Sequence, residues 1–285
     1  MILAAGIGSR YGGLKQLDAL TQNGEAIIDF SIFDAIQCGF SKIVFVVRES
    51  ILEEFRATFD KKLVGKINVD YVFQEVDQIP AGFLPTTRKK PWGTAHALLM
   101  AKKAVRGNFC VINADDFYGR SAFEKMFVRL EKTDPTSADF SMFGYKLENT
   151  LSENGSVSRG QCYISAGNKL ERVVERTKIF RKNDRIVYVD RAGIETSLDP
   201  ETIVSMNFWG FTPTIFDHLK TGFEEFLLIH SEDSKPILTL MSFREIQSKL
   251  PENIFIRVHR SYIVNVNNGC WFNLRAPNNK NGSTG

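Results

Sequence analysis

The sequence predicts an α/β fold built on a mixed sheet, and three observations carry that reading. Short β-rich apolar runs alternate with segments of helical period through the first half of the chain. A glycine-rich stretch follows the first run, and a later apolar run ends in two adjacent aspartates. In order, residues 1–4 read as a clipped strand, 6–13 as a glycine loop, and 26–38 as a helix with Ile28, Ile32, Phe33 and Ile36 on one face. Strands are expected at 42–47, 67–73 and 109–114, and helices at 49–59 and 94–105. From Asp139 onward strands crowd at 140–146, 161–165, 170–176, 186–189 and 204–211, followed by one clear helix at 214–228. The sheet is therefore expected to change from parallel to mixed.

The stretch between Gln74 and Gly93 holds Pro80, Pro85, Pro91 and the basic run Arg88-Lys89-Lys90, which is too long for a connector and suits a loop that closes over a ligand. After His230 the character changes. SEDSKP reads as a polar, proline-ended linker, 240–250 as a short helix, and 255–259 and 262–266 as two strands, which together make a small C-terminal α+β fragment. Residues 273–285, rich in Asn, Gly, Ser and Lys, are expected to be disordered. The expected domains are thus 1–230, 231–272 and a tail at 273–285.

Composition narrows the function classes. With 285 residues, 43% hydrophobic and 24% charged, the chain is an ordinary globular one, long enough for one large domain or two modest ones. The net charge of +3 arises wholly in residues 231–285, where seven Lys and Arg face four Asp and Glu. That excess is far short of a polybasic arm and hints only weakly at an anionic partner. Cys38, Cys110, Cys162 and Cys270 are far apart, with no C-x-x-C and no neighbouring histidine, so neither a zinc cage nor a disulfide framework is expected and a reducing cytoplasm fits. No apolar run approaches the roughly 18 residues of a membrane span, and MILAAGIGSR has no basic start of the secretory kind. No membrane partner is expected.

The segment LAAGIGSRYGGLKQ carries the most chemistry. Gly6, Gly8, Gly12 and Gly13 let backbone N–H groups converge on an anion, and Arg10 and Lys15 supply the charge that backbone dipoles cannot. Neither the dinucleotide fingerprint nor the Walker loop fits, because Tyr11 stands at the third glycine position and Gly-Lys-Ser/Thr is absent. L-A-A-G-x-G-x-R followed by Lys resembles the signature loop of the sugar-nucleotide pyrophosphorylases, which join a nucleoside triphosphate to a sugar 1-phosphate. The resemblance spans residues 1–227 and implies a Rossmann-like mixed sheet of the nucleotide-diphospho-sugar transferase type. It also implies that Ala4, Ala5, Gly6 and Gly8 surround the nucleotide while Arg10 and Lys15 hold its phosphates.

Asp115 and Asp116 stand just beyond an apolar strand, where open α/β sheets bind ligands; taken alone, the pair reads equally well as caps for a helix starting near Gly119. A carboxylate facing a triphosphate suits Mg²⁺, and the resemblance assigns that cation to Asp115. It further implies that Gln74 reads the nucleobase and that Gly93 and Thr94 open a helix beneath the nucleoside; by themselves these read as a strand end and a turn with Thr94 as helix cap. Glu175 resembles the glutamate of a Glu-Lys pair that holds sugar hydroxyls and sugar phosphate, with Arg176 in place of the lysine. Gly155 and Asn207 complete the sugar-side set. His96, His218 and His230 read as packing or surface histidines and Trp92, Trp209 and Trp271 as core or rim aromatics, with Trp92 near enough to Gly93 to border a base.

In the implied reaction a sugar-phosphate oxygen attacks the α-phosphorus in line and pyrophosphate departs, with position and charge as the protein's contribution. The family also has residues ahead of the first strand and a downstream second metal carboxylate; neither stands in this sequence, so an impaired site is expected. The run F-I-R-V-H-R-S-Y-I-V-N within residues 237–266 instead resembles the middle of a LytTR-type DNA-binding domain. Arg257, His259 and Arg260 are its candidate contacts, although so short a match makes DNA an unlikely partner. A regulatory fusion that senses nucleotides or binds DNA without turnover is the alternative reading. Nucleobase, sugar and oligomeric state are left open.

Overall fold

The computed structural model describes residues 1–6, 18–78, 92–190, 192–224, 227–231, 234–239, 255–259, 262–265 and 271–274. The strands are β1 (Ile2–Leu3), β2 (Lys42–Val47), β3 (Asn68–Phe73), β4 (Phe109–Asn113), β5 (Ser141–Lys146), β6 (Val157–Ile164), β7 (Leu170–Lys182), β8 (Arg185–Val189), β9 (Glu195–Leu198) and β10 (Ile203–Phe211), then β11 (Leu227–Ser231), β12 (Ser234–Thr239), β13 (Phe255–His259), β14 (Tyr262–Asn265) and β15 (Trp271–Leu274). The helices are α1 (Ile27–Cys38), α2 (Leu52–Leu63), α3 (Thr94–Met100), α4 (Arg120–Glu131) and α5 (Ile215–Glu224). Two compact units result: residues 1–75 with 91–214, and residues 76–90 with 215–285.

In the first unit ten strands form one mixed sheet in the order β3-β2-β1-β4-β10-β6-β7-β8-β9, with β5 on the other edge of β10. β1 to β4 pair in parallel, and every pairing that involves β10 and the strands beyond it is antiparallel. The expected change from parallel to mixed is therefore present, and it falls at the β4–β10 pair. Ile43, Phe45 and Val47 of β2 enter a cluster with Ile28 and Ile32 of α1, Phe55, Phe59 and Leu63 of α2, and Phe123, Met126 and Leu130 of α4. Val44 and Val46 point to the other face and are buried as well, so β2 is covered on both sides, as its unbroken apolar run requires.

Local chemistry sets the helix ends. Asp29 accepts the backbone N–H of Ala26 at 2.9 Å, closing the first turn of α1, and Gly39 ends that helix in the left-handed region at φ 100°. Phe33 corrects the expected face: five residues after Ile28 it has rotated about 140° away, and it is 58% exposed while Ile28 and Ile32 are buried. The expected helix at 49–59 divides into a 3₁₀ turn, Glu49–Ile51, and α2, and that at 94–105 into α3 and the 3₁₀ turn Ala101–Lys103. β7 extends six residues beyond its expected end, because Arg181 and Lys182 pair with Ile186 and Arg185 in a tight hairpin to β8.

In the second unit β12-β11-β15-β14-β13 form an antiparallel sheet. The polar stretch expected as a linker is instead part of a hairpin, since Ser231 of β11 pairs with Ser234 of β12, and β12 continues to Thr239. Backbone pairing, which ignores side-chain polarity, overrides the compositional signal. Asn273 and Leu274, placed in the tail by composition, lie in β15, where Leu274 pairs with Leu227. The helix expected at 240–250 and residues 275–285 fall outside the described residues.

Phe208, fully buried, is ringed by Tyr118, Phe123 and Phe143 at centroid distances of 5.1, 5.0 and 6.1 Å. Phe208→Ala is expected to cost about 3–5 kcal/mol by cavity formation, read as a lowered urea midpoint; a loss below about 1 kcal/mol would mean that β10 is not anchored there.

Candidate active site

Parallel strands deliver their following residues to one edge of the sheet, and hydrogen bonds fasten those exits together. Ala4 donates its N–H to Val46 O at 2.8 Å, Gln74 to Val47 O at 2.9 Å, and Ala114 to Leu3 O at 3.1 Å. Ala4, Ala5 and Gly6 therefore emerge between the carboxyl ends of β2 and β4, one strand from Asp115. Ala4 and Ala5 are buried and Gly6 is exposed. Gly8, Arg10 and Lys15 lie outside the described residues.

Asp115 and Asp116 sit in the turn between β4 and α4. Asn113 donates from Nδ2 to Asp116 Oδ2 at 2.9 Å, which fixes the second carboxylate and leaves the first facing outward. Although the Asp115 side chain reaches solvent, surrounding protein removes enough water to raise its pKa above the usual carboxylate value, and the Asp116 charge adds to the rise. Two carboxylates side by side form a site that a hard cation relieves.

Gln74 is only 4% exposed. Its Nε2 donates to Gly93 O at 2.9 Å and lies 3.4 Å from His96 Nδ1, so the side chain joins the end of β3 to the start of α3. His96, expected as a packing residue, is buried at this joint. Gly93, at φ 96°, occupies the cap position, and Thr94 is the first helical residue rather than the cap. Thr94 is exposed.

The acceptor-side candidates divide. β10 changes neighbours along one edge: Trp209 to Phe211 pair with β4, whereas Val204 and Ser205 pair with β6. Between them its register against β5 slips, and Asn207 takes the left-handed region at φ 62°, with its N–H donated to Ser205 Oγ at 3.1 Å. Such a bulge bends the strand and re-aims a side chain; here it exposes Asn207 between the strands that lead to Asp115 and to Glu175. Tyr118, missed in the sequence, holds the bulge: its hydroxyl accepts the Asn113 N–H at 2.8 Å and donates to Met206 O at 3.0 Å.

Glu175 is exposed and paired with Gly160, which in turn pairs with Ser205. Gly160 is a second residue the sequence reading passed over. Its signal was a glycine inside a strand, which marks close approach; a Cβ there would lie 2.6 Å from Val173 Cγ1 and 3.8 Å from Glu175 Oε2. Arg176 does not share the Glu175 face, because successive strand residues point to opposite sides. Its Nε donates to Gln161 Oε1 at 3.0 Å, and its guanidinium lies 4.5 Å from the Tyr188 ring centroid. The expected adjacent Glu-Arg clamp is thus not assembled. Gly155, at φ 136°, lies in a turn that lines a cleft of about 880 Å³ with Glu148, Glu153, Lys178 and Phe180.

Because the folded state raises the pKa of Asp115, it binds that proton more tightly than the unfolded chain does, and the ionised carboxylate costs stability at neutral pH. Asp115→Asn is expected to raise the Tm of the metal-free protein at pH 7, with the gain shrinking as pH falls toward the ordinary carboxylate value of 3.8. A lowered Tm at pH 7 would contradict that balance.

Residues 1–240 match the family model described as nucleotidyl transferase, and residues 222–268 match the LytTr DNA-binding domain, so the two matches share residues 222–240. No curated protein gives a significant match. Among solved structures, the chain is similar to HddC from Yersinia pseudotuberculosis at 16% identity and TM-score 0.45, over 76% of this chain and 77% of that one. It is similar to a putative glucose-1-phosphate thymidylyltransferase from Bacillus anthracis, in complex with a sucrose, at 14% identity and TM-score 0.49, over 77% and 73%. It is also similar to the inositol-1-phosphate CTP transferase from T. maritima at 13% identity and TM-score 0.47, over 76% and 71%. Among the described residues no helix is long and apolar enough to cross a membrane.

Proposed function

The chain belongs to the nucleotidyl transferase family, and on that premise we propose that it joins a nucleoside triphosphate to a sugar 1-phosphate, releasing pyrophosphate. The observation that carries the reading is the convergence of the glycine-loop entrance at Ala4 to Gly6 with Asp115, on neighbouring parallel strand ends fastened by the Ala114–Leu3 hydrogen bond.

In this reading Ala4, Ala5, Gly6 and Gly8 line the triphosphate, and Arg10 and Lys15 carry the charge that develops on the departing pyrophosphate. Gln74, with Gly93 and Thr94, borders the base. Glu175 and Asn207 orient acceptor hydroxyls, with Gly155 farther along. An oxygen of the sugar phosphate forms the new bond to the α-phosphorus while the bond from that phosphorus to the bridging oxygen of the β-phosphate breaks, and the pair of electrons leaves with pyrophosphate. The chain supplies alignment and charge, so no covalent intermediate with the protein is required. Asp115, with Asp116 beside it, fits Mg²⁺: both offer oxygen donors, and one or two carboxylates completed by substrate phosphates is that ion's usual arrangement. Bound there, Mg²⁺ would neutralise phosphate oxygens.

A pyrophosphate-release assay across the four common nucleoside triphosphates and several sugar 1-phosphates tests the proposal. One pair is expected to turn over well above the rest, and Arg10→Ala to lower kcat by about 10²–10³, the usual cost of removing one electrostatic donor. Absence of release with every pair would reject it.

The LytTr match favours a second reading, in which the C-terminal unit contacts DNA with Arg257 and His259 of β13 and with Arg260, which lies outside the described residues. Its mark would be sequence-selective DNA binding that weakens steeply with salt. Equal affinity for unrelated sequences would count against it.

A further inference from the structure

We propose that Lys178, and not Arg176, meets the anionic group of the acceptor on the Glu175 face; the inference rests on the reading above. A sugar 1-phosphate brings a dianion toward a site whose described ionisable members, Asp115, Asp116 and Glu175, are all acidic. Like charges repel the approaching group unless a cation stands nearby. Arg176 is the sequence neighbour of Glu175, but it leaves the other face of β7 and is engaged by Gln161 and the Tyr188 ring.

The β6–β7 ladder supplies the alternative. Arg159 pairs with Arg176 and Val157 with Ile179, so two steps on β6 correspond to three on β7. The extra residue makes a bulge, in which Thr177 and Lys178 together oppose Ser158. Ser158 alternates to the same face as Gly160, the partner of Glu175, so the bulge turns Lys178 onto the Glu175 face. Ile179 then returns to the buried side with Leu147, Ile186 and Val204. Without the surplus residue, position 178 would fall on the face of Arg176.

Two further observations concern Lys178 itself. Its φ is 52°, a conformation that glycine or asparagine adopts readily and lysine adopts at an energetic cost. It is also exposed in the cleft that holds Gly155 and Phe180, and none of the ion pairs among the described residues involves it. Glu148 and Glu153 line the same cleft, and neither forms one of those ion pairs. The lysine is thus displayed, strained and available, one bulge away from Glu175.

The test uses the full chain with Lys178→Asn, which suits the left-handed backbone and removes the ammonium together with most of its stem, and Lys178→Arg, which keeps a cation at similar reach. Steady-state KM is measured separately for the sugar 1-phosphate and the nucleoside triphosphate, and binding of the sugar 1-phosphate by calorimetry. Lys178→Asn is expected to raise KM and Kd for the sugar 1-phosphate about tenfold or more, the scale of one lost charge-assisted contact. KM for the triphosphate should stay unchanged and Tm should not fall, since asparagine relieves the backbone strain, and Lys178→Arg should restore part of the loss. Turnover with an unaltered sugar 1-phosphate KM in Lys178→Asn would overturn the inference and leave the proposed function standing. A wild-type chain that neither turns over nor binds any sugar 1-phosphate would overturn both.

Discussion

The hydroxyl of Tyr118 sits where one strand takes over from another. β4 ends at Asn113 and β6 first meets β10 at Ser205, so the residues of β10 between the two have no strand beside them on that edge. Buried backbone groups left in this way are costly, and the tyrosine answers two of them at once, on Asn113 and Met206. Burial pushes its pKa well above the ordinary phenol value, so the hydroxyl keeps its proton across the working range of pH. With that link made, the Asp115 turn and the Asn207 bulge are held at fixed positions relative to each other, and Phe208 locks the bulge from beneath.

Charge explains why the region needs help from outside the strand ends. Asp115 and Asp116 stand together in partly desolvated surroundings, and the rise in the Asp115 pKa records the cost. An amide of the same shape in place of one of them would lower that cost, and so would a bound cation. In the proposed reaction the displayed lysine on β7 would draw in one anion and the acidic pair beyond β4, with its cation, would offset the charge of another.

Much of this was legible in the sequence where one signal dominates. The apolar run at β2 and the strand that ends at Asp115 could be placed because their hydrophobic pattern and the abrupt acidic stop agree. The faces of irregular elements were harder. Phe33 looked like a core residue because it is aromatic and near the helical repeat, yet its angular offset put it in water. Lys178 could not be singled out, since the face it takes depends on register across β6 and β7, and register is a property of two strands. The β11–β12 hairpin escaped for a related reason: its ladder is made by backbone groups, which every sequence carries, while its side chains read as a linker.

The handover along β10 also separates labour. The strands on the β4 side belong to a parallel α/β layer with α1, α2 and α4 packed on one face, and those on the β6 side to antiparallel hairpins. Hairpins tolerate changes in length and outward composition, whereas a doubly covered parallel layer does not. The antiparallel half could therefore vary while the parallel half stays fixed, provided that the tyrosine rivet and the β4–β10 pairing beside it are preserved.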